Sequence, residues 1–229
     1  MSVAPGILTF ENVTFGYKNG PNRVNILENA DITFEEGVFY AIVGPSGSGK
    51  TTTLSLAGAL DTPQSGKILF GREDIKKIGL TRYRRAKVAM IFQNYNLISY
   101  MTALENVSMA LEISNLERGQ RRQRALQLLE DLGLTEDEAK RNVMKLSGGQ
   151  QQRVAIARAL AGEAKVILAD EPTGNLDAQT AKEIVSIFKD LAHRHGKCVI
   201  VVTHSQIVSA AADKTLMFER GTLKEIVHH

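Results

Sequence analysis

VGPSGSGKTTT, residues 43–53, packs three glycines and a lysine into seven positions and then runs into threonines. Before it stands VFYAIV (38–43), a short continuous apolar run of the kind buried in a parallel sheet. After it comes LSLAGAL (54–60), which suits a helix. In that setting Gly44, Pro45, Ser46, Gly47, Ser48, Gly49, Lys50 and Thr51 fit the pattern G-x-x-x-x-G-K-[ST]. The residue types have a common reason. Backbone N–H groups can surround a triphosphate only where Cβ atoms are absent, and a following helix N-terminus adds its dipole and unpaired donors. Lys50 is placed for the β- and γ-phosphates, Thr51 for Mg²⁺ and Thr52 for the α-phosphate. The stretch therefore predicts a phosphate-binding loop between a core strand and a helix.

Working outward, ILTFENVTFGY (7–17) alternates and reads as a strand. KILF (67–70) and KVAMIF (87–92) add strands. From residue 94 to 162 the pattern turns helical. Ala125, Leu128, Leu129 and Leu132 share one helical face, which Gly133 closes. QQQRVAIARALAG (150–162) reads as another helix. Strands return in KVILAD (165–170) and KCVIVVTH (197–204), separated by an amphipathic helix over 178–194. TLMF, the turn Glu219-Arg220-Gly221 and TLKEIV close the chain as a hairpin. The fold class expected is α/β. A parallel-sheet core spans 1–93 and 165–229, with a helical block inserted over 94–164, in one domain.

Composition narrows the setting. The 229 residues are 43% hydrophobic, enough for a sizeable core. With 28 basic and 25 acidic residues the surface is mixed and does not argue for nucleic acid. Cys198, the lone cysteine, sits in an apolar run and reads as a small buried hydrophobe. No secretory signal and no run long enough to span a membrane is visible, so the chain reads as soluble and cytoplasmic. Any action at a membrane then needs another polypeptide. His193 and His195 read as solvated surface, and His228 and His229 as a possible tag remnant.

A second constellation supports the first. Val166 to Ala169 form an apolar strand that ends in Asp170 and Glu171. Asp170 can hold Mg²⁺, directly or through water. Glu171, one residue further, can reach the far side of the γ-phosphate and polarise a water. LSGGQQQRVAIARAL (146–160) then places Ser147, Gly148, Gly149 and Gln150 at a second small-residue helix start.

LSGGQ with its glutamine-rich continuation resembles the signature of ATP-binding cassette (ABC) ATPases, and the resemblance covers nearly the whole chain. It implies a P-loop NTPase core with an N-terminal antiparallel β subdomain and an inserted α-helical subdomain. It also implies ATP and Mg²⁺ as ligands and a head-to-tail homodimer, in which each signature caps the γ-phosphate on the partner's phosphate loop. By the same resemblance Gln93, after KVAMIF, matches the glutamine that touches Mg²⁺ and the attacking water. Tyr17 matches the aromatic that stacks on adenine, with Phe15 as rival. Asp177 in GNLD matches the dimer-contact aspartate, and His204 the switch histidine on the γ-phosphate. The implied reaction is ATP + H₂O → ADP + phosphate.

GPSGSGKTT, GALDTPQSGKILF, TALENV and DEPTGNLD look most like the MacB- and LolD-like export branch. NLISYMTALENV lacks a proline often seen in that branch. The resemblance implies a separate membrane permease, a possible extracytoplasmic membrane-fusion adaptor, and a place on the cytoplasmic face of the cell membrane. NYNLISYMTALENVSMAL would seat the permease, with Tyr95, Leu97, Tyr100 and Met101 forming a groove. Control of a cell-wall enzyme or peptide sensing through a permease-like partner, without transport, is the alternative. An ABC ATPase of DNA repair or translation is disfavoured, since no sustained heptad and no second cassette is visible. Solute import through a binding-protein system is a further, weaker reading.

Overall fold

The computed structural model describes residues 6–19, 22–114 and 118–226; His228 and His229 lie outside them. Two sheets organise the chain. The first is antiparallel, with β1 (Leu8–Asn19) between β2 (Asn22–Phe34) and β4 (Ser65–Phe70), and β5 (Glu73–Asp74) outside β4. β1 buries Leu8 and Phe10, then Val13 and Phe15, a spacing that strict alternation would split between faces. A register shift between Phe10 and Val13, with Asn12 at φ +49°, restores all four to one face. β2 has the same device, with Asn29 at φ +45° between buried Leu27 and Ala30.

The second sheet has the order β10-β9-β3-β8-β7-β6. Its centre is β3 (Phe39–Val43), parallel to β8 (Cys198–Val202) on one side and β9 (Lys214–Glu219) on the other. β7 (Val166–Asp170) and β6 (Val88–Ile91) continue it in parallel, and β10 (Thr222–Ile226) closes the far edge as a hairpin with β9. Every side chain of β8 is buried. Val199 and Val201 join one apolar cluster, while Cys198, Ile200 and Val202 join the other. β3 divides likewise, with Phe39 and Ala41 on one side and Tyr40 and Ile42 on the other. The sheet is thus covered on both faces, as its unbroken apolar runs require. Burial of Cys198 raises its thiol pKa far above the ordinary range.

Helices fill the rest. α1 (Lys50–Ala57) leaves the glycine loop directly. It starts before LSLAGAL and stops short of its end, because Gly58 is its C-cap and Ala59 turns to φ +54°. The short helices α2 (Ile75–Ile78) and α3 (Leu80–Ala86) precede β6. Residues 94–102 form an irregular approach to α4 (Ala103–Ile113), where a helical pattern was expected throughout. α5 (Arg118–Asp131) buries Ala125, Leu128 and Leu129 as its periodicity predicts, and Gly133 at φ +82° follows. α6 (Glu136–Ala139) leads to α7 (Gly148–Leu160). α8 (Ala178–His193) and the short α9 (Gln206–Ala211) flank β8.

Candidate nucleotide-binding site

β3 ends at Val43 and delivers the chain into the glycine loop. Gly49 stands at φ +121°, and a Cβ there would lie 2.3 Å from Ile26 Cγ2 and 2.8 Å from Phe218 Cζ. Only glycine fits. Gly47 stands at φ +74° and faces open space. Lys50 is buried, and its Nζ donates to Gly44 O and Pro45 O at 2.9 Å each. Its ammonium therefore holds the loop in its arched form. Burial lowers the Lys50 pKa, against the opposing pull of Glu171 and Asp170. Ser48 Oγ is buried without a protein partner.

At the end of β7, Asp170 Oδ1 accepts a hydrogen bond from Thr51 Oγ1 at 3.3 Å. Burial raises the Asp170 pKa, the Thr51 bond opposes it, and Glu171 and Lys50 pull in opposite directions after that. Glu171 turns out of the strand at φ +44°, its N–H donating to Val202 O at 2.9 Å. A non-glycine residue in this region costs on the order of 1–2 kcal/mol, and the turn re-aims the carboxylate. Glu171 Oε2 accepts from Thr203 Oγ1 at 3.2 Å and from His204 N at 3.3 Å. Glu171 Oε1 lies 3.8 Å from His204 Nε2, and that nitrogen is 3.2 Å from Lys50 Nζ. Residues far apart in the chain thus meet at the C-terminal ends of β3, β7 and β8.

Tyr17 is 49% exposed, with its hydroxyl 3.5 Å from Thr52 Oγ1. Phe15 is 7% exposed and packs edge-on to Tyr17, centroids 5.2 Å apart. Of the two aromatics, Tyr17 presents its ring beside the loop and Phe15 belongs to the core. Gln93 is exposed beyond β6, its Nε2 3.3 Å from where Gly174 would carry a Cβ.

The signature residues gather elsewhere, around the starts of α7 and α8. Ser147 Oγ accepts from Gln150 N, and Gln150 Oε1 accepts from Ser147 N, a reciprocal cap. Gln150 Nε2 donates to Glu138 Oε1 at 2.7 Å. A Cβ on Gly149 would lie 2.5 Å from Thr180 Cγ2, and one on Gly148 would lie 3.0 Å from the Tyr95 hydroxyl. Asp177 caps α8, accepting from Gln179 N, Thr180 N and Thr180 Oγ1, and the Thr180 hydroxyl in particular lowers its pKa. Among the described residues, no hydrogen bond of Ser147 to Gln150 reaches the glycine loop.

Of the expected groove residues, Tyr100 stands 79% exposed, while Leu97 packs partly buried against the core. Met144, 65% exposed, was not foreseen, although Val143 N donates to Met101 O and ties the two segments together. His193 is not simply solvated. Its Nε2 lies 2.9 Å from Asp213 Oδ2, and that same oxygen accepts from Phe39 N at 2.8 Å. Only contact across the fold exposes this latch, since Asp213 is remote in sequence from both partners. His195 is exposed as expected.

A glycine loop between a central parallel strand and a helix, with its lysine facing a carboxylate pair, defines a P-loop nucleotide-binding fold. Residues 27–174 match the family model described as ABC transporter, and the chain belongs to that family. It is 48% identical to the uncharacterized ABC transporter ATP-binding protein YclH of Bacillus subtilis, over 96% of this chain and 98% of that one. It is 41% identical to the macrolide export ATP-binding/permease protein MacB 2 of Aeromonas hydrophila, over 96% of this chain but 34% of that protein. Among solved structures it is similar to the dimeric, post-hydrolysis ATP-binding cassette MJ0796 bound to ADP and Pi. There the TM-score is 0.87 and the identity 40%, with 96% of this chain and 97% of the other covered. MJ0796 belongs to Methanocaldococcus jannaschii. The chain is an ATP-binding component of an ABC transporter. Among the described residues no helix is long and apolar enough to cross a membrane.

Proposed function

We propose that this chain hydrolyses ATP to power a MacB-like exporter whose permease lies on another polypeptide, at the cytoplasmic face of the membrane. The observation that carries it is His204 standing between Lys50 and Glu171, its Nε2 3.2 Å from the ammonium and 3.8 Å from the carboxylate, beside the Thr51–Asp170 pair. The buried, unpartnered Ser48 hydroxyl and the glycine-only backbone supply donors that a triphosphate would complete. Gly44 to Gly49 surround the phosphates, Lys50 offsets charge on the β- and γ-phosphates, and Thr52 and Tyr17 flank the α-phosphate and base. Mg²⁺ fits the hard oxygen donors of Thr51 and Asp170, with Gln93 as further ligand, and would neutralise phosphate charge when bound.

Glu171, held through Oε2 by Thr203 and His204 N, keeps Oε1 to accept a proton from the attacking water. The water oxygen bonds to the γ-phosphorus as the bond to the β–γ bridging oxygen breaks, releasing ADP and phosphate. His204 and Lys50 meet the charge that develops on the γ-phosphate oxygens. MJ0796 is dimeric in its solved structures. The same assembly here is a head-to-tail homodimer, with Ser147, Gly148, Gly149, Gln150 and Asp177 of one subunit completing the other's site. Core residues 1–93 and 165–229 would move against 94–164 within one domain.

The permease would seat on the segment that carries Tyr95, Leu97, Tyr100 and Met101, where Tyr100 stands 79% exposed. The similarity to macrolide export ATP-binding/permease proteins supports the proposed export of antimicrobial compounds or peptides; an extracytoplasmic adaptor is proposed as a further partner.

Glu171→Gln tests the reading. Turnover should fall by about a hundredfold or more while ATP still binds, and an ATP-bound dimer should accumulate on a sizing column. Unchanged hydrolysis would remove Glu171 from the base role. Co-purification of a permease from the host membrane tests the transporter assignment.

A further inference from the structure

The ten residues from Lys76 to Arg85 hold five cations, Lys76, Lys77, Arg82, Arg84 and Arg85, and no acid. Subtracting these five from the chain's formal +3 leaves −2 for the rest, so the positive charge is concentrated here. All five side chains are exposed. Tyr83 explains why. It is fully buried, edge-on to Phe70, with its hydroxyl donating to Ala57 O at 2.8 Å. It thus pins α3 from below and leaves the arginines around it facing outward. Of the acids just before the stretch, Asp74 is taken up in capping α2, where it accepts from Lys76 N. Among the described residues Lys76, Lys77, Arg82 and Arg84 join no ion pair.

Two of the arginines stand beside exposed aliphatic side chains. Arg84 Nη1 donates to Ala59 O at 2.7 Å, next to Leu60, which is 53% exposed. Arg85 Nε donates to Ile113 O at 2.6 Å, and Ile113 is 55% exposed. Glu112, just before it, is paired with Arg121. Arg84, Arg85 and Ile113 line one groove with Arg158, whose guanidinium forks onto Tyr95 O at 2.8 Å and onto Asn96 O. Tyr95 opens the segment proposed above to seat the permease, so the basic face and that seat adjoin. The one aromatic of the stretch, Tyr83, is buried and offers no ring on which nucleic-acid bases could stack. Cations interleaved with exposed aliphatics instead suit an anionic bilayer, where headgroups meet the charges and the aliphatics enter the boundary.

We propose that this face, α2 and α3 with Leu60 and Ile113, rests on the anionic headgroups of the membrane that holds the permease. Its orientation toward the membrane rests on the permease seat proposed above. The charge and the exposed aliphatics do not, and no residue of the nucleotide site takes part.

The test mixes the full chain with vesicles of phosphatidylcholine, alone or with about 30% phosphatidylglycerol, and reads co-sedimentation. At low salt the anionic vesicles should bind about tenfold or more tightly than the neutral ones, and about 0.5 M salt should abolish the difference. Lys76→Gln, Lys77→Gln and Arg82→Gln together should weaken binding to the anionic vesicles about a hundredfold, at about fivefold per charge. Lys182→Gln, Lys189→Gln and Lys224→Gln, on α8 and β10, bring the chain to the same net charge and should leave binding within about threefold. Ile113→Gln should weaken binding about threefold or more and leave its salt dependence unchanged. ATP hydrolysis measured without vesicles should equal the parent's in every variant. A parent without hydrolysis would sink the proposed function, while the vesicle comparison would still decide this proposal. Equal binding to both kinds of vesicle, or equal loss in the two triple variants, overturns it. So does capture of polyglutamate without any binding of anionic vesicles, which would assign the face to an acidic protein segment.

Discussion

The glycine loop and the signature are both glycine-rich approaches to a helix, yet they satisfy their polar groups in opposite ways. Around the loop, charges face one another: Lys50 lies near His204, Glu171 and Asp170, and Ser48 Oγ has no protein partner. Around the signature, side chains cap the helix starts, through the Ser147–Gln150 cap, the Gln150–Glu138 bond and Asp177 on α8. The first region is built around a ligand's charge. The second is organised by caps at its helix starts, and in the reading proposed above its small residues face the partner subunit. One region is tuned by electrostatics and the other by capping, so substitutions should separate them.

Lys50→Ala should show the largest effect. It removes the ammonium that arches the loop and is proposed to meet the phosphates, and ATP affinity should fall by about ten- to a hundredfold by calorimetry. Tight ATP binding by that variant would break the contrast at its charged end. Ser147→Ala should act the other way round. Loss of the cap costs about 1 kcal/mol, read as a melting temperature lower by a few degrees, with monomer affinity for ATP unchanged. A fall in monomer affinity would mean that the two regions are not independent within one subunit.

Acidification should show the smallest effect, with opposite signs in the two regions. Hydrogen bonds from Thr135 lower the Glu138 pKa from its ordinary 4.5, and those from Thr180 lower Asp177 from 3.8. A lowered acid stabilises the fold above its ordinary value and loses that contribution as pH falls through its folded pKa. Asp170 is raised above 3.8, so its protonation on acidification favours the folded state. Hydrogen exchange at pH 6 and at a pH well below both ordinary values, corrected for intrinsic rates, should therefore show protection falling at the starts of α6 and α8. The end of β7 should keep its protection. Equal loss at both would remove the distinction.

Much of the charged region was legible in the sequence, because its chemistry is local. The phosphate loop, the Asp170–Glu171 strand end and the parallel strands each announce themselves within a dozen residues. β2 did not. Its alternation breaks at Asn29, where a left-handed residue restores burial that the pattern denies. The start of α1 was missed because glycines hide the point where helical geometry begins. The Arg158 fork and the Asp213 latch are pairings across the fold, and neither has a signature in the residues beside it. The rivalry of Phe15 and Tyr17 needed the structure, since both lie on one face and only depth separates them.

Lys50 already grips Gly44 O and Pro45 O. That grip has a kinetic meaning. A loop that must first arch would impose a conformational step on capture, with a rate that saturates as ligand concentration rises. A loop held open by its own lysine lets arrival be set by diffusion and charge, and little ordering entropy remains to be lost on contact. In the cycle proposed above, slow events then belong to whatever separates the two subunits, not to the cradle proposed to receive the phosphates.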